Sequence, residues 1–311
     1  MDNLLIILPV FSIMVAGFLL GRTSVFPEGS GAAHSLSTYV WYIAIPALLI
    51  KLIAGNSLPQ ASELIWIGSY YFCLYLVYFF AYFIVAPLVG IKARGKAIFA
   101  FCVCFGNLGF IGIPIIQTLY GNEGLRSLLL IMSFHSMTLI FISSLLAEAN
   151  DANGKRGMGM VWEILVRLVK NPIIVTLVAS LLWSATGLGL ADWLVSVISL
   201  PAGSAAPVGL FAVGLSLSRV KLKGVRLVAI SAVTLKLLIL PSFVYWFFSS
   251  VMNFSPQQVA VATIAACLPT GVVAYNFAQQ YQVRVQSAAA TILLGSTLSA
   301  LTLTLALSYI N

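Results

Sequence analysis

Stretch after stretch of this chain is apolar for about twenty residues at a time, the length a helix needs to cross the hydrocarbon core of a bilayer. Ten such runs follow one another along the 311 residues, at about 3–21, 33–53, 64–89, 96–119, 125–147, 171–187, 192–218, 226–250, 257–281 and 285–309. In hydrocarbon each backbone N–H and C=O has to be satisfied inside the protein, so runs of this length must be helices. The expected fold class is therefore an all-α polytopic membrane protein with ten transmembrane helices. Composition agrees: 61% of residues are hydrophobic and 8% charged, where a soluble domain carries about a quarter charged residues.

The net charge of +8 invites a nucleic-acid reading, but its distribution argues against one. Of the sixteen Lys and Arg, thirteen fall in loops on one side of the ten runs; Lys51 and Arg126 fall on the other, and Lys236 is left inside a run. That asymmetry is the positive-inside bias. It excludes nucleic acid as the expected partner, places both termini outside the cytoplasm, and with such short loops suggests a bacterial inner membrane. The first run lacks a basic segment before it and a small-residue cleavage site after it, so no cleaved signal is expected. Cys73, Cys102, Cys104 and Cys267 all lie in apolar runs without metal-ligand spacing and read as free core thiols.

The ten runs divide into two fives. Pro9 and Pro172 open the first and sixth, Pro46 and Pro207 sit in the second and seventh, and Tyr120 and Tyr281 close the fourth and ninth, each pair about 160 residues apart. A five-span unit is odd, so its second copy enters from the opposite face and the repeat is inverted. The expected organisation is 1–147 for the first repeat, 148–170 for a cytosolic linker and 171–311 for the second repeat. Within the linker, Met158, Val161, Trp162, Leu165 and Val169 recur at helical spacing. They fit an interfacial helix or a solvated linker helix.

Two runs are broken. Phe105-Gly106-Asn107-Leu108-Gly109-Phe110-Ile111-Gly112-Ile113-Pro114 interrupts the fourth, and Cys267-Leu268-Pro269-Thr270-Gly271-Val272-Val273-Ala274-Tyr275-Asn276 the ninth. Proline removes a donor and crowds the preceding turn, and glycine weakens a helix interior. Such breaks persist in a membrane only inside protein or beside a cavity, and paired breaks point to a transporter's binding site. The crossing would bring together two helix N-termini with free N–H groups, a place for a carboxylate. Candidate anion-binding residues are Gly106, Asn107 and Pro114 in the first break, and Pro269, Thr270, Tyr275 and Asn276 in the second. Asn107 has two readings, an amide that binds the anion or one that caps the freed backbone.

A lysine in mid-membrane costs about 2.5–3.5 kcal/mol on insertion scales. Lys236 lies deep in the eighth run, and its expected partners are the C-terminal ends of the half-helices at the crossing. His135, also mid-run, could relay protons or stand as a hydrogen-bonded core histidine; Glu63 is the other candidate for proton coupling. The eight acids all lie in loops or at run ends. Without a midplane carboxylate, a conventional cation antiporter and a metal- or diphosphate-dependent membrane enzyme are both excluded. No acid partner accompanies His34 or His135, so a Ser/His/Asp arrangement is excluded too. Neither catalytic residues nor a metal or cofactor is expected.

Asn107-Leu108-Gly109-Phe110-Ile111-Gly112-Ile113-Pro114, followed by Leu119-Tyr120-Gly121, resembles the fourth-span signature of the auxin efflux carrier family. Leu268-Pro269-Thr270-Gly271-Val272-Val273, with Phe277-Ala278 and Tyr281, resembles its ninth-span signature, and Lys236-Leu237 with Pro241 and Val213-Gly214-Leu215-Ser216-Leu217 are similar to further family elements. The resemblance covers essentially the whole chain. It implies an NhaA-like fold with crossed broken helices 4 and 9, a scaffold of spans 1, 2, 6 and 7 that carries a homodimer contact, and a transport domain of spans 3–5 and 8–10 moving as an elevator. It implies small organic anions as substrates, auxin-like acids in plants and dicarboxylates such as malonate or malate in bacteria. Asn107 and the backbone near Pro114 and Pro269 would hold the carboxylate. Two features depart from the plant PIN carriers: their long hydrophilic central loop is absent, and Ala274 stands where they have a second proline.

The expected function is a secondary transporter for a small organic anion, with an uncoupled facilitator or channel, or a membrane sensor on the same scaffold, as the alternatives.

Overall fold

A computed structural model describes residues 2–27, 29–54, 61–149, 159, 162, 166, 169, 170, 172–218 and 224–310. Helices occupy each of the apolar runs. They are α1 (Asp2–Leu20), α2 (Ala32–Ala54), α3 (Ser62–Leu88), α4 (Arg94–Cys104), α5 (Leu108–Ala149) and α6 (Pro172–Ala185), then α7 (Asp192–Leu217), α8 (Arg226–Val251), α9 (Pro256–Cys267), α10 (Val273–Tyr281) and α11 (Val285–Ile310). Six of them, α2, α3, α5, α7, α8 and α11, are long and apolar enough to cross a membrane. Shorter apolar stretches, Phe11–Leu20 and Val175–Ala185, lie in α1 and α6. The protein is a polytopic, all-helical membrane protein. Most of the linker, with its expected interfacial helix, lies outside the described residues.

At 1.5 Å per residue the 42 residues of α5 would extend about 63 Å, roughly twice the hydrocarbon thickness. Gly121 divides the helix into two arms with φ 58° and ψ −150°, a conformation that a Cβ would forbid. Four prolines shape other helices more gently. Pro46, Pro87, Pro114 and Pro241 each follow by two residues a π-helical turn, at Val40–Ala44, Ala81–Val85, Leu108–Gly112 and Leu235–Ile239. A proline ring crowds the carbonyl four residues back, and widening the preceding turn relieves that crowding. Pro9 does not open α1 as expected: it lies inside the helix, whereas Pro172 is the first residue of α6.

Packing separates the helices into neighbourhoods. α1 lies along α7, α7 packs on α2, and α2 on α6. The α1–α7 approach is backbone to backbone: a Cβ on Gly214 would collide with the Met14 carbonyl, and one on Gly17 with that of Phe211. Elsewhere α4 packs on α5, α8 on α9 and α11, and α9 on α5 and α11. The largest buried cluster runs through α3, α4, α5, α8 and α9. Leu182, Phe83 and Leu305 are exposed on the outside of the bundle, where lipid in place of water removes any penalty. All four cysteines are free and buried.

Candidate functional site

The two sequence breaks meet. α4 ends at Cys104, Phe105 turns to extended backbone (φ −75°, ψ 97°), and helix resumes at Leu108. α9 ends at Cys267, Leu268 is extended (φ −62°, ψ 141°), and helix resumes at Val273. Gly106 and Thr270 form an isolated antiparallel bridge. Around it, the Asn107 N–H donates to the Pro269 carbonyl at 2.8 Å and the Gly271 N–H to the Phe105 carbonyl at 2.8 Å. A two-residue piece of β-ladder thus joins two interrupted helices, and the backbone groups freed by each break are partly satisfied by the other.

The helix ends that point at the crossing carry orphan carbonyls, and side chains take them up. The Thr270 hydroxyl donates to the Cys102 carbonyl near the end of α4 at 2.7 Å. Lys236 Nζ donates to the Ala266 carbonyl near the end of α9 at 3.2 Å. Lys236 is 1% exposed, and the π turn before Pro241 carries it. A Cβ on Gly106 would lie 3.2 Å from the same Nζ, so the first break passes directly over the ammonium. The cation therefore sits where the negative ends of two helix dipoles converge, with no acidic side chain paired to it among the described residues.

On the other side lie the helix starts. Asn107, 7% exposed, precedes the first turn of α5, and its Oδ1 accepts the Phe110 N–H at 3.3 Å. The capping reading is thus present in the structure, and the NH2 half of the amide is left to donate. Leu108, Gly109, Val272 and Val273 begin the two resumed helices, and their N–H groups donate no hydrogen bond among the described residues. These four residues and Asn107 line one cavity of about 70 Å³, closed by Phe105, Phe110 and Met132 and faced by Ile45 and Leu49 of α2 and Leu177 of α6. Two larger cavities, about 350 and 700 Å³, adjoin it along α10 and share His34, Ser37 and Asn276. Lys170 and Gln280 line the first of them, Tyr275 and Gln279 the second. No described residue lining the three cavities is acidic.

The expected residues separate on this geometry. Asn107 and Gly106 line the small cavity, and Tyr275 and Asn276 line the larger ones. The Gly106 N–H is taken by His135 Nε2 at 3.1 Å, so Gly106 offers close backbone approach and no free donor. Pro269 contributes its carbonyl to the crossing, and Thr270, 1% exposed, commits its hydroxyl proton to Cys102. Pro114 lies beyond the first turn of α5, where its carbonyl accepts from the Thr118 hydroxyl, and it is outside the lining of the three cavities. His135 is 2% exposed and lines the small cavity. Glu63 forms a two-bond pair with Arg126, at 2.9 and 3.1 Å, in the first turn of α3. It is eight residues from Tyr71, which touches the His135 level, or about 12 Å along the helix. Ile45, Leu49 and Leu177, the apolar wall facing the site, are not marked out in the sequence. Ordinary core residues in apolar runs carry no signal that would single them out.

A helical, multiply spanning protein whose two interrupted helices pair beside a cavity has the build of a membrane transporter. The chain belongs to the auxin efflux carrier family: the family model described as membrane transport protein matches residues 4–307. It is 25% identical over 299 residues to a "putative malonate transporter" of Rhizobium meliloti, covering 96% of this chain and 93% of that one. An uncharacterized transporter of Methanocaldococcus jannaschii is 22% identical over 305 residues, with 96% of each chain covered. One from Escherichia coli is 22% identical over 301 residues, covering 92% of this chain and 90% of its own.

Proposed function

We propose that this protein is a secondary carrier for a small organic anion, of the size and charge of malonate. One observation carries the reading: two helix starts, with four N–H groups unpartnered among the described residues, line a single cavity beside the Asn107 amide. Donors at helix N-termini, with the positive ends of their dipoles, suit a carboxylate without a fixed countercharge. Lys236 supports this arrangement from below, where it balances the opposite helix ends. The adjoining cavities, lined by His34, Lys170 and amides, give an anion a polar route to the crossing. The name of the Rhizobium relative points to the same substrate class.

In this reading the helices form ten spans in two inverted fives, the NhaA-like arrangement, with α4–α5 and α9–α10 as the crossed broken spans. α1, α2, α6 and α7 make the scaffold and the homodimer contact, and the remaining helices carry the site past it as an elevator. Both termini lie outside the cytoplasm of a bacterial inner membrane, and the larger cavities open to the cytosolic side. The protein has no enzymatic activity.

The test is uptake of labelled malonate into proteoliposomes. Saturable uptake by the wild-type protein, lost in Asn107→Ala while the variant keeps its melting temperature, is the expected result. Unchanged uptake by Asn107→Ala would remove the amide from the site, and non-saturating conductance would replace the carrier with a channel.

A further inference from the structure

His135 lies on the second arm of α5, beside the crossing. Its imidazole is held by three neighbours. Nε2 accepts the Gly106 N–H at 3.1 Å. The Phe105 ring is tilted against it at 4.9 Å between centroids, and Tyr71 from α3 at 6.5 Å. Nδ1 is enclosed and has no hydrogen-bond partner among the described residues. The Tyr71 hydroxyl is engaged elsewhere, donating to the Ile131 carbonyl at 2.6 Å. From α8, the Lys236 ammonium is the charged group that acts on the ring.

This geometry fixes the ring's chemical form. A nitrogen that accepts an N–H bond carries no proton, so the neutral ring has its single proton on Nδ1. A second proton would have to enter at Nε2, and that nitrogen cannot then accept from Gly106. The doubly protonated ring and the hydrogen bond from the Gly106 N–H exclude each other. What the ring does hold is the N–H of the residue immediately before Asn107.

We infer that His135 is a positioning residue for the anion site, a neutral imidazole whose Nε2 fixes Gly106 and so presents the neighbouring Asn107 amide to the substrate. The inference rests on the reading of Asn107 as the substrate-binding amide. The Asn107 N–H is held by Pro269 on one side of the crossing, and the Gly106 N–H by His135 on the other. Clamped on both sides, the extended turn gives Asn107 one orientation. Without the imidazole, Asn107 keeps its backbone bonds to Pro269, Ile111 and Gly112 and the Phe110 N–H on its Oδ1, but the Gly106 N–H just before it loses its acceptor.

Glutamine can place a carbonyl oxygen near the position of Nε2, so it restores the acceptor without a titrating group. Leucine fills the space and accepts nothing. The experiment is calorimetric titration of malonate into the purified full chain, as wild type, Asn107→Ala, His135→Leu and His135→Gln. Asn107→Ala is expected to lose binding, His135→Leu to weaken it about tenfold, and His135→Gln to stay within about threefold of wild type. The wild-type and His135→Gln affinities are also expected to follow one pH profile between about pH 5.5 and 8. Wild-type protein that binds no malonate, or Asn107→Ala that binds it normally, overturns the site reading and this inference with it. Lost binding in Asn107→Ala with unimpaired binding in His135→Leu overturns this inference alone. If the leucine variant does not fold, glutamine decides: a tenfold loss, or a pH profile that departs from wild type, overturns the positioning role.

Discussion

At the scale of single residues, the site is built on satisfying backbone, and charge is secondary. Lys236 illustrates the competition. Burying an ammonium is costly, and replacing a buried charge with an apolar side chain can stabilise a protein. Here, however, the ammonium serves the Ala266 carbonyl and lies beneath Gly106. Removing it orphans a carbonyl in hydrocarbon and leaves two helix C-termini facing each other. A hydrogen bond to a charged group contributes about 1.5–3 kcal/mol, so Lys236→Met is expected to lose about 2 kcal/mol. The measurement is melting in detergent; a variant that melts at or above the wild-type temperature would show that desolvation outweighs the bond. Its place in an apolar run marks Lys236 out in the sequence. Which carbonyl it reaches was not legible, because that depends on the π turn before Pro241 and on where α9 stops.

Among the elements, proline and glycine do different work. Proline widens single turns in α2, α3, α5 and α8 without ending them, so these helices stay continuous enough to span. Full interruption occurs where glycine, joined in the second break by Pro269, meets a partner strand of backbone, at 105–107 and 268–272. Glycine also permits the contact of α1 with α7, where Gly214 meets the Met14 carbonyl. Because the obstacle is backbone, no rotamer change can relieve it. Gly214→Ala is expected to separate the two helices at a cost of about 3 kcal/mol, seen as a lower melting temperature. Gly189→Ala, with nothing near its added Cβ, serves as the control. An equal response from both would show that α1 and α7 do not meet as described.

For the whole molecule, the charge pattern and the packing make a joint statement about orientation. The loop at Gly90 lies on the side rich in Lys and Arg, and the loop at Gly187 on the other. Cysteines placed there, at exposed positions away from the buried native thiols, are expected to differ in reach of a membrane-impermeant maleimide. Gly187→Cys should label in intact cells, and Gly90→Cys only after permeabilisation. The opposite pattern would invert the proposed topology and put the larger cavities on the outer side. For the proposed division into scaffold and moving domain, α1 packs on α7, α7 on α2 and α2 on α6, and Ile45, Leu49 and Leu177 of that group face the crossing as an apolar wall of the small cavity.

Sequence alone determined the helices, the side on which basic residues gather, and the location of both breaks. Each follows from local physics: a twenty-residue apolar run has one fate in lipid, and proline or glycine disturbs only its own turn. Tertiary structure decided which freed backbone groups find partners and which stay open to a ligand. Nothing in the spacing of Gly106 and His135, or of Thr270 and Cys102, reveals that each pair shares a hydrogen bond. Those bonds exist because two interrupted helices, 160 residues apart in the chain, cross at one depth, and only the packing of the whole bundle fixes that depth.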